Sequence, residues 1–195
     1  MKLAYLSSCA LLALAAIGCS TTDNALITRP QSNAWNTDPK LPAIVRAPDG
    51  HVLLGHVVGR GVETFTLQAD PNHADRLVWV AGHDEGGDLL DDDGNVVGHH
   101  EGNSWAMRDG GQVSADPIAQ VPQRNRKPLT LLQAASHEGG GLMGSAEYVQ
   151  QLNTLGGPPL AARGTVGTQF RAEYSADYYF YGAVASQTRR ASMGG

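Results

Sequence analysis

The chain has 195 residues, with 14 Lys and Arg against 19 Asp and Glu and a formal net charge of −5. This mild acidity argues against nucleic acid and anionic lipid as partners, because both bind a basic face. The length suits one domain with a single core.

Residues 1–18 are predicted to be a secretory signal peptide, because a positive charge at Lys2 precedes an apolar run that ends in small residues. The run is too short for a spanning helix, which needs about 20 apolar residues. Ala16-Ile17-Gly18-Cys19 resembles the lipobox of bacterial lipoproteins. That resemblance implies that Cys19 is lipidated, and Ser20 after it favours the outer membrane. The alternative is simple cleavage and release as a soluble periplasmic or secreted protein.

The mature chain is predicted to have three parts: a lipidated tether at 19–40, a domain at 41–184 and a flexible tail at 185–195. With Cys9 in the signal peptide and Cys19 lipidated, no cysteine pair remains. The domain is therefore expected to fold without a disulfide, although its compartment is oxidising.

Short runs rich in Val, Leu, Phe and Trp are typical of β-strands. Before residue 90 the candidates are His51–Val58, Val62–Ala69 and Arg76–Ala81. Alternation within the second run places Glu63, Phe65 and Leu67 on one face. Residues 91–95, Asp-Asp-Asp-Gly-Asn between apolar pairs, then predict a hairpin turn.

The second half continues this pattern. Predicted strands are Asn103–Arg108, Leu129–Ser136, Thr168–Tyr174 and Asp177–Val184, while residues 116–128 contain three prolines and are predicted to be a loop. Residues 145–153 fit either a helix or a strand. Many short strands bounded by turns indicate an all-β domain, a single antiparallel sandwich or barrel with little helix.

Five segments carry a resemblance to a known family. They are GVETF at 61, LLDDDGNVVGHH at 89, GNSWAMRDGG at 102, YVQQLNTLGGPP at 148 and YSADYYFY at 174. Together they resemble DUF3455, a family of unknown function found in secreted bacterial and fungal proteins. Leu67 and residues 161–163 stand where relatives often carry cysteines, and Glu101 stands where a Tyr is usual. The resemblance implies no activity, although some relatives carry a dehydrogenase label.

Residues 139–144, GGGLMG, test that label, because they fit the glycine pattern of a dinucleotide-binding loop and follow an apolar run. Such a loop must open a helix and be followed by an acid about 20 residues on. No acid lies between Glu147 and Glu173. The pattern therefore predicts a strand connection and no nucleotide cofactor.

A divalent metal is a second hypothesis, because residues 83–101 hold three histidines and seven acids without Lys or Arg. Imidazoles suit Zn²⁺ or Cu²⁺, and His100 with His137 would be the ligands. The calcium-loop template fails, since aligning Gly94 with its glycine puts Leu89 first and His100 last. The alternative interpretation is a solvated acidic hairpin.

Binding is the third hypothesis, because tyrosines beside amides can stack on a glycan or contact a partner protein. In the last strand Asp177, Tyr179 and Tyr181 share one face, while Tyr178 and Phe180 lie on the other and are favoured as core. The candidate ligand-binding residues are Trp105, Tyr148, Gln150, Asn153, Asp177, Tyr179 and Tyr181.

No hydrolase elbow, P-loop or free cysteine is present, so no catalytic residue is assigned. The sequence predicts a cell-envelope lipoprotein whose β domain has a binding or structural role, with an envelope glycan or protein as partner. The alternative is a small metal-dependent enzyme that uses His100 and His137.

Overall fold

The computed structural model describes residue 36, residues 38–124 and residues 126–184, without the side chain of Ala74. The signal peptide, Cys19, most of the tether and the tail at 185–195 lie outside the described residues. In the described part of the chain, no helix has the length and apolar character needed to cross a bilayer.

Eight antiparallel strands form one closed barrel, in which each strand pairs with its neighbours in the chain and the last pairs with the first. The strands are β1 (His51–Asp70), β2 (His73–Leu90), β3 (Val96–Glu101), β4 (Ser104–Met107), β5 (Gln112–Gln123), β6 (Arg126–Glu138), β7 (Tyr148–Gly156) and β8 (Gln169–Ala183). Two short 3₁₀ turns, Ala43–Val45 and Met143–Ser145, flank them. The all-β prediction is confirmed, and the closed ring of strands selects the barrel over the sandwich.

The predicted loop at 116–128 is wrong, because residues 116–123 lie in β5 and residues 126–128 lie in β6. Proline has no N–H for the ladder and is confined to edges, strand starts and bulges. Here the β5–β6 register shifts between Pro117 and Ala119 and again between Val121 and Gln123. The bulges accommodate two of the prolines, so the strand continues through a stretch that composition marks as a loop.

Other boundaries also differ from the sequence prediction. The first two predicted strands are one strand, β1, which continues through Gly59 and Gly61. Residues 145–153, ambiguous in sequence, begin with the last residue of a 3₁₀ turn, Ser145, and form β7 from Tyr148 onward. The hairpin at 91–95 is confirmed: the Asp91 carboxylate accepts hydrogen bonds from the backbone N–H groups of Asp93 and Asn95 at 3.0 and 2.8 Å.

The glycine-rich stretch at 139–144 connects β6 to β7 and covers one end of the barrel. It ends in a three-residue 3₁₀ turn, Met143–Ser145, so it opens no helix that could hold a pyrophosphate. Leu142 and Met143 are 4% and 0% exposed and belong to the interior apolar cluster. We call the end of the barrel that residues 139–144 cover the capped end. Gly141 has φ 65°, and a Cβ there would lie 2.0 Å from the Asp109 carboxylate, so the close approach requires glycine.

Candidate functional site

Toward the other end of the barrel, three charged side chains from β1, β2 and β6 meet in the interior. Lys127 of β6 places its Nζ 2.5 Å from Asp84 Oδ2 of β2 and 3.5 Å from Glu63 Oε2 of β1. The three side chains are only 10–13% exposed. We call these residues the charged cluster. Groups buried to this degree cost several kcal/mol to desolvate unless they are paired.

Asp84 is the fully bonded member of the charged cluster. The Tyr174 hydroxyl donates to its two oxygens at 2.8 and 2.9 Å, and the Gly86 N–H donates at 3.0 Å. Burial alone would raise the pKa of Asp84, but Lys127, Tyr174 and Gly86 together lower it below its ordinary value. Burial and the neighbouring Asp84 charge raise the pKa of Tyr174, which therefore stays a hydrogen-bond donor.

Glu63 is the weakly bonded member. Among the described residues its only polar partner is Lys127, at 3.5 Å, and that ammonium lies closer to Asp84. Burial and the negative charge of Asp84 raise the pKa of Glu63, while Lys127 opposes them. The Glu63 carboxylate therefore keeps acceptor capacity that the protein does not use.

His100 lies deeper in the interior, 1% exposed, with its ring 6.0 Å from that of Tyr174 and 5.4 Å from that of Tyr178. Neither ring nitrogen makes a hydrogen bond of normal geometry within the described structure. Burial lowers the pKa of His100 to about 4, against the opposing effects of Asp84 and the Arg60 backbone. The imidazole is therefore neutral at physiological pH.

Two glycines of β1 provide the space for these rings. A Cβ on Gly59 would lie 2.3 Å from Tyr178 Cε2 and 3.1 Å from His100 Nε2. A Cβ on Gly61 would lie 2.9 Å from the Tyr174 hydroxyl. Glycines at i and i+2 of one strand face the same side. This spacing is the sequence signal for an aromatic layer inside the barrel.

A pocket of about 470 Å³ opens above the charged cluster, with Glu63 and Lys127 among its lining residues. We call it the mouth pocket. Its apolar walls come from β1, β2 and the β7–β8 loop: Phe65, Leu77, Trp79, Pro158, Pro159 and Leu160. The volume lies within the range of small-molecule sites, roughly 300–1,000 Å³.

The β7–β8 loop, residues 157–168, is fixed against this end of the barrel. The Leu67 N–H donates to the Thr168 carbonyl, and the Gly167 N–H donates to the Leu67 carbonyl, both at 2.8 Å. Trp79 Nε1 donates to the Ala161 carbonyl at 3.4 Å. The loop therefore forms one wall of the mouth pocket, and Trp79 joins that wall to β2.

The aromatic surface that the sequence predicted as a binding face is not exposed. Trp105, Tyr179 and Tyr181 are 1%, 3% and 1% exposed. Trp105 points into the barrel, with Tyr178 and Phe180, whose predicted core positions are confirmed. The other two tyrosines point outward, as alternation requires, but residues 41–47 cover them.

We call residues 41–47 the N-terminal strap. Its Leu41, Val45 and Ala47 pack against Tyr179 and Tyr181. Of the other predicted binding residues, Gln150 is fully buried beneath it. Gln150 Nε2 donates to the Val45 carbonyl at 2.6 Å, and its oxygen accepts from the Tyr181 hydroxyl at 3.0 Å. This tyrosine–amide surface therefore binds the protein's own N-terminal segment, and Tyr148, half-buried, packs at its edge.

Asn153 and Asp177, the remaining predicted binding residues, belong to a polar group on the outer wall. Asn153 Nδ2 donates to Asp177 at 2.7 Å. His56 lies 3.4 Å from Asp177 and 2.9 Å from Asp92, and its ring stacks on Tyr179 at 4.6 Å. The group joins β1, β7, β8 and the β2–β3 hairpin.

We expect His56 to make the stability of the barrel pH-dependent. Burial lowers the pKa of His56, but Asp177 and Asp92 outweigh it, so the pKa rises above about 6.5. The stability that protonated His56 contributes is therefore complete below the pKa that it has in the unfolded chain. This stability is lost as pH rises through the pKa of His56 in the folded protein. His56→Gln should cost about 1 kcal/mol more of unfolding free energy at pH 5.5 than at pH 9. Urea denaturation at both pH values measures this, and exposed His99→Gln is the control; equal costs for His56→Gln would contradict it.

The two histidines proposed as metal ligands lie in different surroundings. His100 packs beside Tyr174 and Tyr178, whereas His137 Nε2 donates to the Ala146 carbonyl at 2.6 Å, in the connection at the capped end. In the part of the chain that the structure describes, no three His, Cys, Asp or Glu side chains are grouped as a metal site. The metal hypothesis stays a prediction.

Comparison with known proteins identifies one family. A profile described as "Protein of unknown function (DUF3455)" matches residues 64–182, more than half of the chain. The match includes Asp84, Lys127 and Tyr174, and it begins one residue after Glu63. No curated protein and no solved structure shows a significant match.

Proposed function

The chain belongs to the DUF3455 family of proteins of unknown function, and from that premise we propose that its barrel binds a small, largely apolar ligand in the mouth pocket. The observation that carries the proposal is the apolar pocket of about 470 Å³ with an ion pair, Glu63 and Lys127, at its lining. Small-molecule sites combine apolar walls with a few polar groups that orient the ligand.

The cost of the charged cluster supports this role. Replacing a buried ion pair with apolar residues of similar size is often neutral or stabilising. Stability alone therefore gives little reason to keep Glu63, Asp84 and Lys127 inside a barrel whose capped end is filled with apolar side chains. A polar group of a ligand, reaching the pocket lining, supplies such a reason.

Binding of N-phenyl-1-naphthylamine tests the proposal, because this neutral probe becomes fluorescent in apolar surroundings. We expect saturable binding that Trp79→Ala weakens at least about tenfold, since a pocket aromatic carries much of the binding energy. Leu155→Ala is the matched control, because Leu155 is exposed but does not line the pocket. Absence of binding, or equal loss in both variants, would refute the mouth pocket as the site.

We also propose that the barrel lies at the outer membrane, where lipid on Cys19 anchors it. An envelope component would then be the source of its ligand or its partner. The support is the signal-like run and the lipobox resemblance at 16–19. Several acyl chains give stable anchoring. We expect the wild-type protein in the membrane fraction and Cys19→Ala in the soluble fraction. Wild-type protein that is already soluble would instead support cleavage and release.

A further inference from the structure

We propose that the mouth pocket selects a ligand with a protonated amino group on an apolar body, and that Glu63 is the acceptor for that group. This inference rests on the proposed binding function and adds the chemical class of the ligand. It follows from three properties of the charged cluster. The Lys127 ammonium is already engaged, the Glu63 carboxylate has acceptor positions that the protein does not use, and the cluster has a net negative charge.

The Lys127 ammonium is already engaged by groups of the protein. An ammonium has three donors. The Lys127 Nζ donates to Asp84 at 2.5 Å, forms an ion pair with Glu63 at 3.5 Å and lies 4.0 Å from the centre of the Tyr174 ring, on its face. A carboxylate or phosphate ligand would therefore have to break an existing contact of Lys127 before it could be bound.

The unused capacity at the pocket is that of an acceptor. Asp84 already accepts from Lys127, Tyr174 and Gly86, whereas Glu63 has Lys127 alone among the described residues. An ionised carboxylate has about four acceptor positions. A ligand that completes this site must therefore donate hydrogen bonds to Glu63.

Charge then favours an ammonium over a hydroxyl. With Glu63 ionised, the charged cluster holds two carboxylates and one ammonium, with neutral His100 and Tyr174 beside them, so it lacks one positive charge. The pocket walls include Phe65 and Trp79, whose ring faces attract cations. The Arg126 side chain also lines the pocket but is exposed, so solvent screens its charge.

Displacement of the naphthylamine probe at pH 7 by three ligands with one tail tests the inference: octylamine, octanol and octanoate, below their aggregation limits. We expect octylamine to displace the probe at least about tenfold better than octanoate, with octanol between them. Octyltrimethylammonium, which keeps the charge but has no N–H donor, should bind more weakly than octylamine.

Glu63→Gln should reduce the amine preference, measured as the ratio of octylamine to octanoate displacement in the same variant, to less than about twofold. Glu173→Gln, an exposed carboxylate on β8, should leave the preference unchanged. Probe binding without an amine preference, or a preference that survives Glu63→Gln, would overturn this inference and leave the binding function standing. Should Glu63→Gln fail to fold, the ligand series on the wild-type protein decides, and equal displacement by octylamine and octanoate would overturn it. Absence of probe binding would instead refute the binding function.

Discussion

Lys127→Met is expected to lower the free energy of unfolding by about 3–5 kcal/mol, because it leaves two buried carboxylates without their cation. Asp84 and Glu63 lie 2.5 and 3.5 Å from the ammonium, and all three side chains are nearly inaccessible. The loss is a large part of the stability of a domain, about 5–15 kcal/mol. Urea denaturation followed by circular dichroism measures it at pH 7.

Arg126→Met is the matched control, since Arg126 precedes Lys127 but is exposed, and it should change stability by less than about 0.5 kcal/mol. Asp84→Asn with Glu63→Gln in the Lys127→Met background should recover part of the loss, because no unpaired charge then remains. The cost of Lys127→Met should also shrink as pH falls and the carboxylates protonate. Equal small effects of Lys127→Met and Arg126→Met would mean that the charged cluster is hydrated rather than buried.

Trp105→Ala should cost about 3–5 kcal/mol of unfolding free energy, because it opens a cavity in the barrel interior. Trp105 is 1% exposed and packs edge-on against Tyr178 and Phe180, at ring distances of 5.3 and 5.9 Å. Thermal and urea denaturation measure the change.

Trp105→Phe separates packing from hydrogen bonding. The indole Nε1 is buried without a partner in the described structure. An unsatisfied donor costs about 1–3 kcal/mol, so its removal offsets part of the lost volume. Trp105→Phe should therefore cost less than about 1.5 kcal/mol. A variant Trp105→Ala that stays stable and loses only ligand affinity would restore the binding role that the sequence suggested.

Local patterns predicted much of the barrel. Alternation in the run after Gly61 put Glu63, Phe65 and Leu67 on one face, and all three are buried on the interior side. Alternation in the last strand separated Tyr178 and Phe180 from the outward tyrosines. The prediction failed at residues 116–128, because the proline content indicates a loop whereas bulges allow the strand to continue.

The charged cluster could not be predicted in this way. Glu63 and Asp84 are register partners on the paired strands β1 and β2, but only the closure of the barrel brings Lys127 of β6 to them. In sequence, Asp84 was one of seven acids in a stretch that looked solvated, and Lys127 was one base in a presumed loop. The paired glycines, 59 and 61, were the available sign that large side chains from other strands enter this layer.

The outward tyrosines show a second limit of sequence patterns. Alternation gives the direction of Tyr179 and Tyr181 correctly, but their environment depends on the N-terminal strap, which lies more than 100 residues away in the chain. The buried amide of Gln150 is part of the contact with the strap, because it donates a hydrogen bond to the Val45 carbonyl. Because the N-terminal strap has no strand or helix pattern, the sequence does not predict that it covers Gln150 and the neighbouring tyrosines. Without that cover, a polar side chain between tyrosines indicates a ligand site.

The indole signals of the two domain tryptophans test the binding account most directly. Trp79 lines the mouth pocket, whereas Trp105 is enclosed in the barrel interior. Titration of ¹⁵N-labelled protein with N-phenyl-1-naphthylamine should shift the Trp79 indole N–H resonance, assigned with Trp79→Phe, and leave that of Trp105 in place. A probe that binds while the Trp79 resonance stays unmoved would contradict the mouth pocket as the binding site.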